Sequence, residues 1–375
     1  MLTDHSIAVI LGTRPELVKL APLIHELGDA ARLIHTGQHW DDSLSGQFIE
    51  ELRLPVPELL EGVGGRSRAT QVGSALQQLD ALFAEDTPAA VVVQGDTNAT
   101  LAGAMAANAH GIPLVHVEAG LRSHDRAIPE EHNRVMVDAL ADVLCAATED
   151  NRANLLAESV PEARIAVTGN TVVEVVRDSL PAEAEQHTLL TAHSLRPGAY
   201  VLATVHRPEN TDDPDALRRL VQALREIAAR GTPVVVPLHP RTAAAAARHD
   251  VSLDRLTVIE PLGYAEFLTL ARHAALLVSD SGGVQEECTV LGRPLLVVRR
   301  STERPEAAAA GFAELVEPGP ELAGTALRWL SDGEERLSRL ARTSSPYGDG
   351  LASARIAGIL AALTEQHAAP ALQAA

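Results

Sequence analysis

The chain has 375 residues, of which 46% are hydrophobic and 22% charged, and its formal net charge is −19 at pH 7. This length is sufficient for two domains with separate cores, and the apolar content is that of a globular rather than a disordered chain. The negative charge argues against a nucleic-acid partner, because phosphate backbones require a basic face on the protein.

Neither a membrane segment nor a secretory signal is indicated. The apolar runs are of strand length, too short for a transmembrane helix, and no basic patch precedes the first of them. The two cysteines, Cys145 and Cys288, lie within apolar or helical stretches. We therefore expect a cytoplasmic protein with buried thiols rather than a disulfide.

In the first half of the chain, short apolar runs alternate with helical patterns. This alternation predicts an α/β fold in which a parallel sheet is covered by helices on both faces. The predicted strands span 6–11, 31–36, 89–94, 113–118, 143–146 and 164–167, and the predicted helices span 15–27, 43–52, 69–85, 98–110, 130–140 and 151–159.

A polar segment without apolar periodicity, residues 181–198, is interpreted as a linker, after which the alternation restarts. We predict two Rossmann-like domains, residues 1–180 and 199–350, followed by a C-terminal helix and tail, 351–375, that packs on either domain. Ligands of open α/β sheets bind beyond the carboxyl ends of the strands, so the two domains are expected to face a cleft that holds the site. The later predicted strands are 200–204, 234–237, 257–259, 276–279 and 295–298, and the helices 214–230, 242–249, 264–273, 283–291, 321–330 and 351–364.

Lys19 is the single lysine among 31 lysine and arginine residues, so an ammonium stands where the composition otherwise uses a guanidinium. It follows an apolar run and the turn Gly12-Thr13-Arg14-Pro15-Glu16, a pattern typical of a strand, a glycine turn and a helix start. Amides at a helix N-terminus attract anions, and Arg14 and Lys19 add positive charge beside them. We interpret this segment as part of a phosphate site rather than a solvated surface.

Acidic residues follow the predicted strands at the sheet edge where such folds bind ligands. Asp96 follows the third strand, Glu118 ends the fourth, and Glu130 and Glu131 begin a helix. A carboxylate ending an apolar strand is unfavourable unless it has a partner or a function, whereas Asp96 is alternatively a helix N-cap. Glu130 or Glu131 alternatively serves the helix dipole. His116 and Glu118 are expected on one strand face, but no third ligand indicates a metal site.

Polar residues also follow the strands of the second half. The imidazole of His206 suits phosphate binding or proton transfer, although a histidine there is alternatively a packing residue. The segment Ser281-Gly282-Gly283 joins a strand to a helix, where backbone amides approach a phosphate. Glu287, one turn later, suits a ribose diol, and Arg304 adds a cation. The absence of a Walker loop and of a G-x-G-x-x-G fingerprint argues against ATP hydrolysis and NAD binding.

A series of strings in chain order carries a resemblance to a known family. The strings are Gly12-Thr13-Arg14-Pro15-Glu16 with Lys19, Thr36-Gly37-Gln38-His39, Gly95-Asp96-Thr97, 116–122, Pro129-Glu130-Glu131 with Asn133-Arg134, Thr168-Gly169-Asn170-Thr171, His206-Arg207, 280–287, 302–306 and 346–350. They span nearly the whole chain and resemble the UDP-N-acetylglucosamine 2-epimerases of the non-hydrolysing bacterial and archaeal type.

The resemblance implies the glycosyltransferase-B fold, a UDP-sugar substrate, no metal or organic cofactor, and a homodimer. It also implies roles for individual residues. UDP phosphates would be held by Arg14, Lys19, His206, Ser281, Gly282, Gly283 and Arg304, the ribose by Glu287, and the uracil by the segment around Phe267. The catalytic residues would be Asp96, Glu118 and Glu130, which act on the sugar, together with His206.

The implied reaction converts UDP-N-acetylglucosamine reversibly to UDP-N-acetylmannosamine. The C2 proton has no adjacent carbonyl to acidify it, so the C1–O bond breaks first and cations absorb the charge of the departing UDP. A carboxylate then removes the C2 proton to give 2-acetamidoglucal. Reprotonation from the opposite face and re-addition of UDP complete the reaction, which requires two acids on opposite faces of the ring.

Other functions remain open from the sequence. They are a hydrolysing 2-epimerase that releases UDP and N-acetylmannosamine, a 2-epimerase of a modified substrate such as a diacetamido uronate, a glycosyltransferase, and a non-catalytic nucleotide-sugar sensor. Asp41-Asp42 and Asp125-Arg126 resemble the branches of the family that act on UDP-N-acetylglucosamine or on modified versions of it, so the decoration of the sugar stays open. The aromatic content of 2% gives little support to an acceptor groove of a glycosyltransferase, and the retained acids argue against a sensor.

Overall fold

The computed structural model of the protein describes residues 6–39 and 49–373, with side chains as far as residue 365. Contacts divide the chain into two units, one formed by Met1–Val175 with Tyr347–Ala375 and the other by Val176–Pro346. Most of the predicted helix 43–52, together with Asp41 and Asp42, lies outside the described residues.

The first unit contains a parallel sheet with the strand order β3-β2-β1-β4-β5-β6-β7. The strands are β1 (Ile7–Leu11), β2 (Ala31–His35), β3 (Glu58–Leu59), β4 (Ala90–Gln94), β5 (Leu114–Ala119), β6 (Val143–Ala146) and β7 (Ile165–Val167). The helices are α1 (Arg14–Leu27), α2 (Arg68–Glu85), α3 (Asn98–His110), α4 (Pro129–Leu140), α5 (Glu149–Ala157) and α6 (Val172–Ser179), within which the chain passes to the second unit.

Strand β1 shows why the central strands of this sheet are continuous apolar runs. All five of its residues are buried. Ala8 and Ile10 belong to the apolar cluster that includes residues of α2 and α3, whereas Ile7 and Val9 belong to the cluster that includes α1. Each large apolar side chain buried in this way contributes about 1.5–3 kcal/mol. Helices on both faces therefore require apolar residues at every β1 position rather than at alternate ones.

The second unit repeats the plan with a parallel sheet in the order β10-β9-β8-β11-β12-β13. The strands are β8 (Val201–Thr204), β9 (Val234–Pro237), β10 (Thr257–Ile259), β11 (Leu276–Ser279), β12 (Leu295–Val297) and β13 (Ala313–Leu315). The helices are α7 (Glu183–Ala192), α8 (Pro208–Thr211), α9 (Pro214–Ala229), α10 (Pro240–Arg248), α11 (Tyr264–His273), α12 (Gly282–Leu291), α13 (Pro305–Ala309), α14 (Pro320–Ser331) and α15 (Gly333–Leu340).

The end of the chain returns to the first unit. The Ser353 amide and hydroxyl donate to Glu174 Oε1 over 2.8 and 2.7 Å. Helix α16 (Ala352–Gln373) then places Ile356 and Leu360, both fully buried, in the apolar cluster that also contains α1. The last helix thus covers one face of the first sheet.

The segment 181–198 differs from its prediction as a linker, because it contains helix α7. Gln186 and Leu190 are the buried positions of that helix, and Gln186 Oε1 lies 2.9 Å from His273 Nε2 of α11. His193, directly after α7, contacts Glu266 over 2.7 Å. A helix that buries one polar and one apolar side chain on its inner face has almost no apolar periodicity, which is why the pattern suggested a linker.

Two expectations concern membranes and thiols. Among the described residues, no helix is both long and apolar enough to cross a membrane. Cys145 and Cys288 are buried free thiols, as predicted. Burial raises the pKa of the Cys145 thiol to about 12, so it is inert as a nucleophile near neutral pH.

The predicted fold class is confirmed, since both units are Rossmann-like parallel sheets with helices. In each sheet the strand order reverses between two central strands, β1 and β4 in the first unit and β8 and β11 in the second. The carboxyl ends of such strand pairs open a crevice in which ligands of this fold bind. The loops after these four strands, and after β5 beside them, therefore carry most of the candidate site residues, whereas Arg304 follows β12 and Phe267 lies on α11.

Candidate active site

A β-bulge at the end of β5 carries Glu118. Val117 and Ala119 pair with the adjacent residues Cys145 and Ala146 of β6, so Glu118 is one extra residue in β5. Its φ is +67°, in the left-handed region that side chains other than glycine rarely occupy. Backbone strain of this kind is concentrated at functional sites, where the surrounding structure maintains it.

The Glu118 carboxylate is buried and receives donors on both oxygens. Lys19 Nζ lies 2.5 Å from Oε1, and Asn170 Nδ2 donates to the same oxygen over 3.2 Å. Gln94 Nε2 donates to Oε2. These three partners come from α1, from the loop after β7 and from the end of β4. The carboxylate is thus oriented by charge and by hydrogen bonds at the carboxyl end of the sheet.

The bulge overturns the expectation that His116 and Glu118 share a strand face. Val117 belongs to the apolar cluster containing α1, and Ala119 to the opposite cluster, although regular alternation would put both on one side. His116 points away from Glu118, with Nδ1 2.7 Å from Asp138 Oδ1 and Nε2 2.8 Å from the Gly95 carbonyl oxygen. The extra residue reorients the Glu118 side chain.

Lys19 and Arg14, predicted together as phosphate ligands, have different surroundings on α1. Lys19 is 7% exposed and forms the ion pair with Glu118, whereas Arg14 is exposed at the first residue of the helix. The structure therefore brings the single lysine to a candidate catalytic carboxylate.

Glu16 is a second buried carboxyl between the turn after β1 and the start of α3. It accepts hydrogen bonds from the Gly12 amide (3.1 Å) and from three hydroxyls, those of Thr13 (2.8 Å), Thr97 (2.9 Å) and Thr100 (3.1 Å). Burial raises the pKa of Glu16 to about 7, although these four bonds act in the opposite direction. The bonds join the two loops on either side of the strand reversal.

Asp96 lies in the turn after β4 and is partly exposed. Its carboxylate pairs with Arg134 of α4, whose Nε lies 3.2 Å from Oδ2, and its carbonyl oxygen accepts from Asn133 Nδ2 over 2.8 Å. The cap of α3 is Thr97, which forms a capping box with Thr100. Since Thr97 fills the N-cap position, the alternative interpretation of Asp96 as that cap is wrong.

The two adjacent acids at the start of α4 have opposite environments. Glu130, the predicted catalytic residue, is exposed. Glu131 is buried and accepts from the amides of Ser123 (3.0 Å) and His124 (2.9 Å) and from Arg134 Nη1 (2.7 Å). Burial alone would raise the pKa of Glu131, but these partners outweigh it and the pKa is lowered. Glu131 therefore braces the loop before α4, while Glu130 is accessible from solvent.

In the second unit, Asp280 organises the loop that carries His206. Asp280 is fully buried after β11, and its carboxylate accepts from the backbone amides of His206 (3.1 Å) and Arg207 (2.9 Å) and from Asn210 Nδ2 (2.9 Å). His206 Nδ1 lies 3.3 Å from Asp280 Oδ1, and its ring is tilted against His239 with 5.3 Å between centroids. His206 remains 38% exposed at the side chain, so it is available to a ligand.

The predicted phosphate-binding turn lies at the N-terminus of α12. Ser281 is the N-cap residue, and Gly282 and Gly283 form the first turn, where the amides have no intrahelical acceptors. A Cβ atom on Gly282 would lie 2.8 Å from Arg304 Nη1, so only glycine allows the guanidinium this close. The arrangement places one cation beside an anion-attracting helix terminus.

Arg304, predicted to bind phosphate, is held by two carboxylates. Its Nε lies 2.7 Å from Glu286 Oε1, and its Nη1 pairs with Glu303, which also accepts from Arg299 Nη2 over 2.9 Å. Burial alone would raise the pKa of Glu303, but the positive charges of Arg304 and Arg299 outweigh burial and hold this pKa far below its ordinary range. These ion pairs orient the guanidinium, which is 11% exposed.

Glu287 and Phe267, the predicted ribose and uracil contacts, lie on α12 and α11. The Tyr264 hydroxyl of α11 donates to Glu287 Oε1 over 3.0 Å and thereby joins the two helices. Phe267 is one turn beyond Tyr264 and is partly buried. The rings of Tyr264 and Phe267 are three residues apart and therefore lie on one face of the helix. This spacing could have indicated from the sequence that Tyr264 belongs to the same site as Phe267.

Sequence reasoning gave no role to several residues that organise these sites. They are Glu16, Gln94, Asn170, Asp280 and Tyr264. Three of them occur in the strings that carry the family resemblance, which was the available signal. For Gln94 the available signal was a single amide ending an apolar strand, where a buried polar group needs a partner.

The two sets of residues suit different chemistry. In the first unit, buried carboxylates with an adjacent ammonium are suited to removing and returning a proton at carbon. In the second, a helix N-terminus with His206 and Arg304 is suited to an anion such as a phosphate. Among the described residues, no three histidine, cysteine or carboxylate side chains are grouped as metal ligands.

The family model described as UDP-N-acetylglucosamine 2-epimerase matches residues 25–361. A UDP-N-acetylglucosamine 2-epimerase of Methanocaldococcus jannaschii is 38% identical over 365 residues, which cover 94% of this chain and 98% of the relative. A UDP-2,3-diacetamido-2,3-dideoxy-D-glucuronate 2-epimerase of Pseudomonas aeruginosa is 37% identical over 365 residues, covering 95% and 99%.

A solved structure also matches over nearly the whole chain. The crystal structure of Methanocaldococcus jannaschii UDP-GlcNAc 2-epimerase in complex with UDP-GlcNAc and UDP has a TM-score of 0.85 and 37% sequence identity, and the match covers 95% of this chain and 99% of that one. The family model, the curated relatives and this structure agree with the strings quoted above. The chain therefore belongs to the UDP-N-acetylglucosamine 2-epimerase family.

Proposed function

We propose that the protein catalyses reversible C2 epimerisation of UDP-N-acetylglucosamine to UDP-N-acetylmannosamine by elimination and re-addition of UDP. The observation that carries the proposal is the strained, buried Glu118 carboxylate held by Lys19, Asn170 and Gln94. A carboxylate that is fixed by three partners is suited to proton transfer to or from a carbon atom, because the rate of that transfer depends on how precisely the base is positioned.

In the proposed first half-reaction, the C1–O bond breaks and the electron pair leaves with UDP. Positive charge at C1 then makes the C2 proton acidic, and a carboxylate removes it to give 2-acetamidoglucal. We assign this acid–base work to Glu118, Asp96 and Glu130, two of which would serve opposite faces of the ring. Re-addition of UDP to C1, with protonation of C2 from the other face, gives the manno epimer.

For the nucleotide, we propose that the second unit holds the diphosphate through the N-terminus of α12, His206 and Arg304. Charge develops on the departing UDP, so donors that are already oriented lower the barrier most. Arg304 is oriented by Glu286 and Glu303, and His206 by Asp280. Glu287 is proposed to bind the ribose, and Phe267 to lie at the uracil.

A second candidate is epimerisation of a decorated UDP-N-acetylglucosamine. It is favoured by the 37% identity to a relative that acts on a diacetamido uronate, nearly the same as the 38% to the relative that acts on the undecorated sugar. Asp125-Arg126, in the loop before α4, is the segment that we propose to read the decoration. Hydrolytic capture of the intermediate, which would release UDP and N-acetylmannosamine, is the other alternative outcome.

We further propose a cytoplasmic homodimer. The homodimer follows from the family resemblance, and the cytoplasmic site is supported by the two buried free thiols. Sedimentation of the purified protein would test the dimer, and a monomer at micromolar concentration would contradict it.

The experiment for the proposed function is proton NMR of the protein with UDP-N-acetylglucosamine in D2O. UDP-N-acetylmannosamine carrying deuterium at C2, with the nucleotide intact, is the expected product. Free N-acetylmannosamine with UDP would select the hydrolytic outcome. An unchanged spectrum for this substrate, with turnover of the diacetamido uronate derivative, would replace the proposal by the second candidate.

A further inference from the structure

We propose that His116 is a buried imidazolium cation and a positioning residue that holds the turn carrying Asp96. The effect on turnover rests on the proposed function, whereas the charge state of the ring does not. His116 is fully buried in β5, behind the loops that carry the candidate catalytic carboxylates, and it has no role in the proposed reaction steps.

Both ring nitrogens of His116 lie against oxygens. Nδ1 is 2.7 Å from Asp138 Oδ1, and Nε2 is 2.8 Å from the carbonyl oxygen of Gly95. A carbonyl oxygen only accepts hydrogen bonds, so Nε2 carries a proton. The charge of the ring then depends on whether Asp138 accepts from Nδ1 or donates to it.

Asp138 is placed to be the acceptor. Its other oxygen, Oδ2, accepts from the Gly120 amide over 3.2 Å and lies 2.7 Å from Arg122 Nη2. The Gly120 amide and the Arg122 guanidinium both favour the ionised form of the Asp138 carboxylate. An ionised carboxylate has no proton to give, so Nδ1 must carry one as well. With both nitrogens protonated, the ring is an imidazolium.

The neighbouring charges balance this cation. Arg122 is also buried and pairs with Glu158, whose Oε2 lies 2.6 Å from Nη2, so two cations alternate with two carboxylates. Arg164 also contacts this end of α4, where it donates to backbone carbonyl oxygens, including that of Ala141, and the Asp142 carboxylate accepts from the Leu114 amide over 2.8 Å. A neutral His116 would turn one lone pair towards an oxygen and leave a buried acceptor unsatisfied.

The bond to Gly95 connects this cluster to the candidate site. Gly95 has a φ of +71°, and its carbonyl oxygen precedes Asp96 in the turn after β4. The same turn is held by Asn133 on the Asp96 carbonyl oxygen and by Arg134 on its carboxylate. His116 thus supplies the charge-assisted bond on the side of the turn facing the sheet, which keeps Asp96 in register with Glu118.

The charge is tested by long-range proton–nitrogen NMR correlations of the full-length protein labelled with 15N-histidine. His116 is assigned by the signals that disappear in a His116 variant. At pH 8, where exposed histidines are neutral, both His116 nitrogens are expected to be protonated. In Asp138→Asn the ring is expected to become neutral. An unprotonated nitrogen in the wild-type protein would overturn the assigned charge.

The positioning role is tested by two substitutions that keep one donor each. In His116→Asn the side-chain amide would replace Nδ1 and lose the bond to Gly95, whereas in His116→Gln the longer side-chain amide would replace Nε2 and retain it. We expect kcat to fall about tenfold or more in His116→Asn with KM nearly unchanged, and His116→Gln to recover most of the loss. His110→Asn, which alters a partly buried histidine paired with Asp80 over 2.8 Å outside the candidate site, is the control and should leave kcat unchanged.

Both His116 variants lose the imidazolium, so equal losses of kcat at equal melting temperatures would overturn the positioning role through Gly95. If the wild-type protein epimerises none of the UDP-sugars tested, the proposed function fails, and the nitrogen spectra still decide the charge of His116.

Discussion

At the scale of single residues, the Lys19–Glu118 pair is better explained by function than by stability. Both side chains are buried, at 7% and 6% exposure, and removing two charges from water offsets much of their mutual attraction. The pair is also attached to a residue with a left-handed backbone, which adds strain. The buried ion pair and the left-handed backbone together hold the Glu118 carboxylate in one orientation at the carboxyl end of the sheet.

We therefore predict that Lys19→Arg impairs turnover although it conserves charge. A guanidinium is longer and planar, so it cannot take the position of Nζ 2.5 Å from Glu118 without moving the carboxylate. The expected loss of kcat is about ten- to a hundredfold, measured by steady-state assay of the purified variant.

Arg32→Lys is the matched control, since Arg32 pairs with the half-exposed Glu58 over 2.7 Å outside the candidate site. Its kcat should stay within about twofold, because exposed pairs contribute little. Full activity of Lys19→Arg would mean that the ammonium group is not needed to orient the Glu118 carboxylate.

Glu16 makes a prediction about stability and pH. The pKa of Glu16 is about 7 in the folded protein, whereas its ordinary value is 4.5. Between pH 4.5 and pH 7, Glu16 is therefore protonated in the folded protein and ionised in the unfolded protein. The contribution of protonated Glu16 to the free energy of unfolding is present in full below pH 4.5 and is lost as the pH rises towards 7. Glu16→Gln mimics the protonated form and removes this dependence.

Urea unfolding of both proteins at pH 5 and pH 8 measures the effect. The free energy of unfolding of the wild type, relative to Glu16→Gln, should be about 2 kcal/mol lower at pH 8 than at pH 5. A difference that does not change between the two pH values would mean that the raised pKa of Glu16 is wrong.

At the scale of elements, the loop after β1 and the start of α3 approach each other more closely than side chains normally allow. A Cβ atom on Gly12 would lie 2.3 Å from Ala99 Cβ and 2.8 Å from Thr36 Oγ1. The four bonds to Glu16 span the same gap. Packing and hydrogen bonding together hold the loops that flank the strand reversal.

Gly12→Ala is therefore expected to destabilise the protein by about 1–3 kcal/mol, as overpacked sites generally do. The measurement is the urea midpoint compared with that of Gly73→Ala, a helical glycine of α2 whose added Cβ would meet nothing within 4 Å. Gly73→Ala should be neutral or stabilising by up to about 1 kcal/mol. Equal midpoints for the two variants would contradict the close approach inferred here.

The buried central strands were predictable because helices on both faces require continuous apolar runs, as in β1. The orientation of Glu118 was not predictable. It depends on a bulge in the pairing of β5 with β6, and the alternation of residues along a single strand carries no information about that pairing. The partner of Lys19 was not predicted either, because Lys19 and Glu118 are 99 residues apart in the chain and only the folded sheet brings them together.

At the scale of the whole molecule, the candidate acid–base carboxylates and most of the candidate nucleotide-binding residues belong to different units. The carboxylates Asp96, Glu118 and Glu130 belong to the first unit, and Ser281, Glu287 and Arg304 belong to the second. The two sheets have the same order of strands around their reversals, so each presents loops at an equivalent edge. The first sheet carries the acid–base groups there, together with Arg14 and Lys19 on α1, and the second carries His206 and Arg304 beside the N-terminus of α12.

This separation predicts that nucleotide affinity and chemistry can be lost independently. Glu118→Gln should lower kcat by about a hundredfold or more, because general acid–base groups contribute about that much, while the dissociation constant for UDP stays within about threefold. Gly282→Ala should weaken UDP binding by about tenfold or more, since its Cβ would displace Arg304 from the start of α12. Calorimetric titration of both full-length variants with UDP, beside steady-state assays, measures the two effects. Loss of UDP affinity in Glu118→Gln would mean that the carboxylate supports the nucleotide rather than proton transfer, and the division of labour between the units would have to be abandoned.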